Sequence, residues 1–176
     1  MKEIVRERTF TWTNPLDLAK QLFSVEGIAW LRAMKAHELP PPPIISALGM
    51  DVESVEDGAV AFSMHAEEWM CNPAGVIHGG MTATLLDTVL TLAVMSKIPA
   101  GSSAQTIDMN VHYIRPILPT GEKIVAEGKA VHVGSTIGTA EARVHNAAGK
   151  LVAHGTATLA IIDNATMAAR MAKREG

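Results

Sequence analysis

Hydrophobic positions along the chain change their period twice. Between 14 and 39 they recur at helical spacing, with Leu18, Leu22, Val25, Ala29 and Ala33 on one stripe. Asn14-Pro15-Leu16-Asp17 supplies a cap residue, a first-turn proline and an acid at the third helical position. Gly27 offers a break, with Ser24 placed to cap a second helix. The four prolines at 40–43 suit neither a helix interior nor a central strand, so a stiff extended spacer is predicted there.

After Ile44 the period falls to two. Val60, Phe62 and Met64 alternate with Ala59, Ala61 and Ser63, behind a hairpin turn at Asp57-Gly58. Ile107, Met109, Val111 and Tyr113 alternate with Thr106, Asp108, Asn110 and His112, which puts Thr106 on the face opposite Ile107 and Met109. Runs at about 122–133, 136–146 and 150–162 are rich in Val, Ile, Thr and Ala. Gly134-Ser135 and Ala147-Ala148-Gly149 separate them as turns. Between the second and third strands, residues 80–97 are apolar almost all round, the mark of a buried helix. The predicted fold is therefore α+β. One long buried helix is wrapped by an antiparallel sheet of five to six strands, behind an N-terminal helical extension. The expected segments are the extension and spacer at 1–43, the main domain at 44–163 and a polar tail at 164–176.

Composition narrows the class. The 176 residues suffice for one domain with a sizeable core, and 48% hydrophobic against 19% charged residues makes it globular. Fifteen basic against eighteen acidic residues, net −3, give no footprint for nucleic acid. One cysteine, Cys71, permits neither an internal disulfide nor a thiolate metal site. No apolar run approaches the ~20 residues that span a bilayer, and residues 1–8 alternate charged with apolar side chains, unlike a signal peptide. A soluble, cytoplasmic protein without a membrane partner is the expectation. The low aromatic content of 4%, with 14 Gly and 10 Met, either leaves room for a narrow tunnel or simply reflects an alanine-rich composition.

Asp87 is the residue that the apolar helix does not explain. It lies among Leu85, Leu86, Val89 and Leu90 with no Lys or Arg three or four positions away, and a dry, unpaired carboxylate costs several kcal/mol. Either it is structural, bonded to Thr84 or Thr91 or facing solvent, or it lines a cleft as a base or nucleophile. The helix is entered through Asn72-Pro73-Ala74-Gly75-Val76-Ile77-His78-Gly79-Gly80, a glycine-rich loop ending where unpaired N–H groups and the helix dipole favour developing negative charge. Gly79 and Asp87 are eight residues apart, about 12 Å along one helix axis. A single carbonyl cannot touch both within one chain, so a site using both needs two subunits and an obligate oligomer. His37, His65, His132, His145 and His154 lack metal-ligand spacing and fit sheet or surface positions. There is no nucleophile elbow, P-loop or dinucleotide fingerprint, which excludes the common serine hydrolases, kinases and dehydrogenases.

The stretch Asn72 to Gly80 followed by Thr82-Ala83-Thr84-Leu85-Leu86-Asp87 resembles the signature of PaaI-type hotdog-fold acyl-CoA thioesterases, in the 4-hydroxybenzoyl-CoA thioesterase superfamily. The resemblance continues through Thr106-Ile107-Asp108-Met109-Asn110, Tyr113-Ile114-Arg115-Pro116, Val133-Gly134-Ser135-Thr136 and Ala153-His154-Gly155. It covers about 44–162 and leaves the N-terminal helices outside. It implies hydrolysis of acyl-CoA to a carboxylate and free CoA, without metal or redox cofactor. It also implies dimers that share two sites and pair into tetramers. Asp87 would be general base or nucleophile, and the Gly79 amide the oxyanion donor from the partner's helix. Asn72 would orient the attacking water or the carboxylate, His78 would lie beside the thioester carbonyl, and Thr106 would supply a helper hydroxyl. Gly75 and Gly80 would belong to the substrate-binding loop. CoA phosphates would be met near Val133, Gly134, Ser135 and Thr136 and by Arg115; many relatives carry Arg or Lys where Ser135 stands. Two other readings stay open: a hotdog enoyl-thioester hydratase or dehydratase, using His78 with Asp87, and a non-catalytic acyl-CoA-binding module.

Overall fold

The computed structural model describes residues 5–163, so the polar tail expected at 164–176 lies outside the described residues. Three short helices come first, α1 (Pro15–Ser24), α2 (Gly27–Lys35) and α3 (Pro43–Leu48). Asn14 caps α1 through its side chain, which accepts the Leu16 N–H at 3.0 Å. The break after α1 resets the helical phase. The buried face of α2 is Gly27, Trp30, Leu31 and Met34, whereas Val25 and Ala29 of the expected single stripe are exposed. Ser24 does not cap α2: its hydroxyl turns back to the Gln21 carbonyl at 2.8 Å, and Glu26 holds the cap position. The proline spacer also ends earlier than predicted, because Pro43 opens α3. Its missing N–H is one that no helical acceptor would have taken.

The main body follows as β1 (Asp51–Glu56), β2 (Ala59–His65), a 3₁₀ turn at Glu68–Met70, α4 (Gly79–Met95), β3 (Ser102–Tyr113), β4 (Lys123–Val133), β5 (Ile137–His145) and β6 (Leu151–Asp163). The six strands form one antiparallel sheet in the order β1-β2-β4-β5-β6-β3. It curls around α4, whose Leu85, Leu86, Val89, Leu90, Ala93 and Val94 are wholly inaccessible to solvent. This is the α+β hotdog arrangement, one buried helix in a six-stranded wrap. Helix and sheet touch backbone to backbone in places. A Cβ on Gly128 of β4 would stand 2.4 Å from the Val89 carbonyl oxygen of α4, so only glycine fits there.

One irregularity decides what faces the helix. Along β3, Thr106 pairs with Leu159 of β6 but Asp108 pairs with Thr158, leaving Ile107 as an extra residue. Directly opposed residues on antiparallel strands share a face, and a bulge exchanges the two faces of the strand that carries it. Before the bulge, Ser102, Ala104 and Thr106 lie on the side of buried Leu159. After it, Met109, Val111 and Tyr113 lie on that side, opposite Ala157, Gly155 and Ala153. Thr106 therefore shares the inner face with Met109, contrary to the regular alternation expected from the sequence.

Candidate active site

Asp87 is half-buried on α4, and the bulge delivers its partner. The Thr106 hydroxyl donates to Asp87 Oδ1 at 2.7 Å, the short separation expected when the acceptor is a carboxylate. Thr91 Oγ1 stands 3.2 Å from Thr106 Oγ1. A hydroxyl has one proton, so with Thr106 donating to Asp87 it is Thr91 that donates to Thr106. The result is a directed relay from Thr91 through Thr106 to Asp87. Of the structural partners considered for Asp87, Thr84 is engaged elsewhere, donating to the Gly80 carbonyl at 2.9 Å. Thr91 reaches the acid only through Thr106.

The entry loop is tied down before α4 begins. Cys71 bridges Ile77, and Asn72 Oδ1 accepts the Ala74 N–H at 2.9 Å, which leaves the amide Nδ2 as the donor end of that side chain. Gly75 takes a positive φ of 76° at the exposed tip of the loop. The His78 N–H donates to the Met70 carbonyl at 2.8 Å, joining the loop to the 3₁₀ turn. That turn is gripped from the N-terminal segment: Arg6 pairs with Glu68 at 2.7 Å, and Arg8 pairs with Glu67 and lies 4.1 Å from the Trp69 ring centroid.

His78 caps α4. Its Nδ1 accepts the Gly80 N–H at 2.9 Å, so in the neutral ring the proton sits on Nε2, which is free to donate outward. A Cβ on Gly80 would fall 2.9 Å from that same Nδ1, so the second glycine makes the cap possible. The Met81 N–H takes the His78 carbonyl. Among the described residues, the Gly79 N–H has no protein acceptor. It is the open donor at the positive end of the helix dipole.

A cleft of about 290 Å³ opens beside this donor, lined by Ile77, Gly79, Thr82, Tyr113, Arg115 and Val152 among others. Tyr113 donates to the Gly79 carbonyl at 3.0 Å. No role follows for it from the sequence, although it begins the stretch that ends in Arg115-Pro116. Thr91, expected as a possible direct partner of Asp87, instead meets Thr106 across the helix–sheet contact, which the sequence does not reveal. Arg115 is exposed and donates to the Leu151 carbonyl. Val133, Gly134, Ser135 and Thr136 form the β4–β5 turn, where the Gly134 N–H meets the Ile137 carbonyl and the Thr136 carbonyl accepts from Ile161.

Within one chain these residues fall into two groups. Asn72, Gly75, His78, Gly79, Gly80 and Arg115 gather at the start of α4. Asp87 and Thr106 lie two turns further on, toward the end of the sheet that carries 133–136. Arg115 contacts Val152 and Thr136 contacts Ile161, nine residues apart on β6 and hence about 30 Å. Among the described residues no group of three metal-ligating side chains occurs, and no helix is long and apolar enough to cross a membrane.

The thioesterase superfamily matches residues 74–153, which contain both ends of this arrangement. Acyl-coenzyme A thioesterase 13 of Homo sapiens is 36% identical over 106 residues, 60% of this chain and 74% of that protein. Acyl-coenzyme A thioesterase PaaI of Escherichia coli is 30% identical over 126 residues, 71% of this chain and 85% of that protein. The solved structure of E. coli PaaI superposes with a TM-score of 0.67 at 25% identity, covering 79% of this chain and 96% of that one. A Streptococcus mutans protein solved with acetyl CoA gives 0.60 at 27% identity, covering 65% and 89%. With the fold, the glycine-rich helix entry and the matched sequence in agreement, the chain belongs to the thioesterase superfamily.

Proposed function

We propose that the protein hydrolyses an acyl-CoA thioester to a carboxylate and free CoA at sites shared between two protomers. The observation that carries this reading is the carboxylate of Asp87, set in an otherwise apolar helix and held at 2.7 Å by one hydroxyl. The Gly79 N–H would polarise the thioester carbonyl from one protomer. Asp87 of the other would take a proton from water as its oxygen attacks, or attack the carbonyl itself to give an anhydride that water then opens. Either way the C–S bond breaks, the acyl carbon keeps the new oxygen, and CoA leaves as the thiol. Thr106 would aim the carboxylate, with Asn72 and His78 Nε2–H directed at the water or the carbonyl.

Support for the shared site comes from β3. It is a 12-residue edge strand with Ile107 and Tyr113 more than half exposed, and a long open edge is a template for pairing. Antiparallel pairing of two β3 strands centred near Met109 and Asn110 would bring Thr106 of one opposite Tyr113 of the other. These two residues are about 23 Å apart within one strand. The same operation would let Arg115 of one protomer and 133–136 of the other address a single CoA. Named relatives that act on acyl-CoA, and a structural relative solved with acetyl CoA, favour this substrate class. Pairing of such dimers into tetramers is part of the proposal.

The test is free-thiol release from a panel of aryl- and alkyl-CoA esters, with Asp87→Asn run in parallel. The variant should fold normally and lose at least about 100-fold in kcat. Wild-type turnover by Asp87→Asn would sink the mechanism. Tight ester binding without thiol release would instead mark a binding module, and hydration of a crotonyl thioester a hydratase.

A further inference from the structure

Tyr113 is the only tyrosine of the chain, and its side chain meets the first residue of α4. The phenol donates to the Gly79 carbonyl at 3.0 Å. Its ring covers the Gly79 Cα: a Cβ there would stand 3.1 Å from Cζ and 3.2 Å from the hydroxyl oxygen. The contact lies at the rim of the sheet, Tyr113 being 55% exposed. Within one protomer Tyr113 gains little from burial, so the hydrogen bond fixes the phenol there; the β3–β3 pairing proposed above would cover it further.

The Gly79 carbonyl does not need this donor, because the helix already supplies the Ala83 N–H. What the phenol adds is restraint. A glycine in the first helical position lacks the Cβ that would limit its torsions, and its N–H is fixed by no intrahelical bond. On one side the His78 N–H is tied to the Met70 carbonyl at 2.8 Å. On the other side only the first helical turn and Tyr113 hold the peptide. We infer that Tyr113 is a positioning residue for the oxyanion donor, holding Gly79 so that its N–H keeps its aim at the thioester oxygen. This rests on the reading of Gly79 proposed above. The effect falls on the step in which the oxygen becomes negative, where a pre-aimed donor counts most. Binding of the ground-state ester, spread over the whole CoA, does not depend on it.

Tyr113→Phe removes the hydroxyl and keeps the ring. It should lower kcat about tenfold, with KM within about twofold and an unchanged melting temperature. An unchanged kcat, or a raised KM with kcat retained, overturns the inference. A second set guards against an unstable variant: Gly79→Ala, alone and combined with Tyr113→Ala. The added Cβ displaces the phenol, so its loss in kcat should shrink once the ring is gone; fully additive losses overturn the inference. Asp87→Asn is assayed on the same substrate. If it retains wild-type turnover, the hydrolytic reading itself fails, whatever the Tyr113 variants do. If it is inactive while Tyr113→Phe keeps full kcat, only the role of Tyr113 falls.

Discussion

Thr106 has a single proton and two neighbours, and the direction in which it points that proton determines what Asp87 can do. Donating to Oδ1 at 2.7 Å, it orients the carboxylate and, in the proposed mechanism, leaves the other oxygen for water or an acyl carbon. A general base must stand within hydrogen-bond reach of the proton that it abstracts, so orientation matters as much as charge. Thr106→Val, which keeps the shape and removes the hydroxyl, should lower kcat about tenfold with little change in KM, whereas Thr106→Ser should retain most of the rate. Equal kcat for Val, Ser and wild type would show that the hydroxyl does not orient the acid. Thr91, one bond further back, feeds the relay rather than the acid, and its removal should have the smaller effect.

At the scale of elements, the close contact between α4 and β4 is demanding packing beneath the site. Gly128→Ala places a methyl 2.4 Å from the Val89 carbonyl oxygen, where neither backbone can retreat without opening the wrap. It should destabilise the protein by about 3 kcal/mol, measured by denaturant unfolding; a loss under about 0.5 kcal/mol would mean that the two elements are looser than described. The sheet's other edge is stapled by charge. The Ser63 hydroxyl and the Lys123 ammonium hold the Glu53 carboxyl of β1 below the usual carboxylate range. A depressed folded-state pKa adds stability above the ordinary carboxylate value and loses it as pH falls through the folded one. Glu53→Gln should therefore be less stable than wild type at neutral pH, by under about 1 kcal/mol for so exposed a pair. The difference should close on acidification; a gap constant with pH would mean that the charge is not its source. Most of these elements were legible in the sequence, because α4 is apolar on every side and β4, β5 and β6 are separated by glycine turns. The face of Thr106 was not, because an alternating run of residues reads the same with or without a bulge. Only the strand opposite, through Leu159 and Thr158, shows which residue is extra. The phase of α2 was hidden for a similar reason: a two-residue break resets a helical stripe without altering composition.

For the whole molecule, the separation of Gly79 from Asp87 has a consequence that no single-chain experiment can show. Gly79→Pro removes the proposed oxyanion donor while keeping a residue suited to the first helical position, and Asp87→Asn removes the proposed base. Each homodimer should be inactive. In a refolded equimolar mixture half the dimers are hybrids, each with one site carrying both changes and one carrying neither, so about a quarter of wild-type activity should return. No recovery from mixtures shown to contain hybrids would place the chemistry within one chain. The bulge at Ile107 extends the argument from residues to spacing. Deleting that one exposed isoleucine alters no side chain that touches the site, yet it restores an unbroken two-residue repeat along β3. Thr106 and Tyr113, seven positions apart with the bulge, would then be six apart in a regular strand, and both would still face the helix. What fixes the two faces is thus the pairing with β6: an odd step of seven needs the extra residue, and an even step of six needs none. Loss of the isoleucine should therefore leave both side chains facing the helix, whereas one residue added, or a second one removed, between 106 and 113 should turn one of them away.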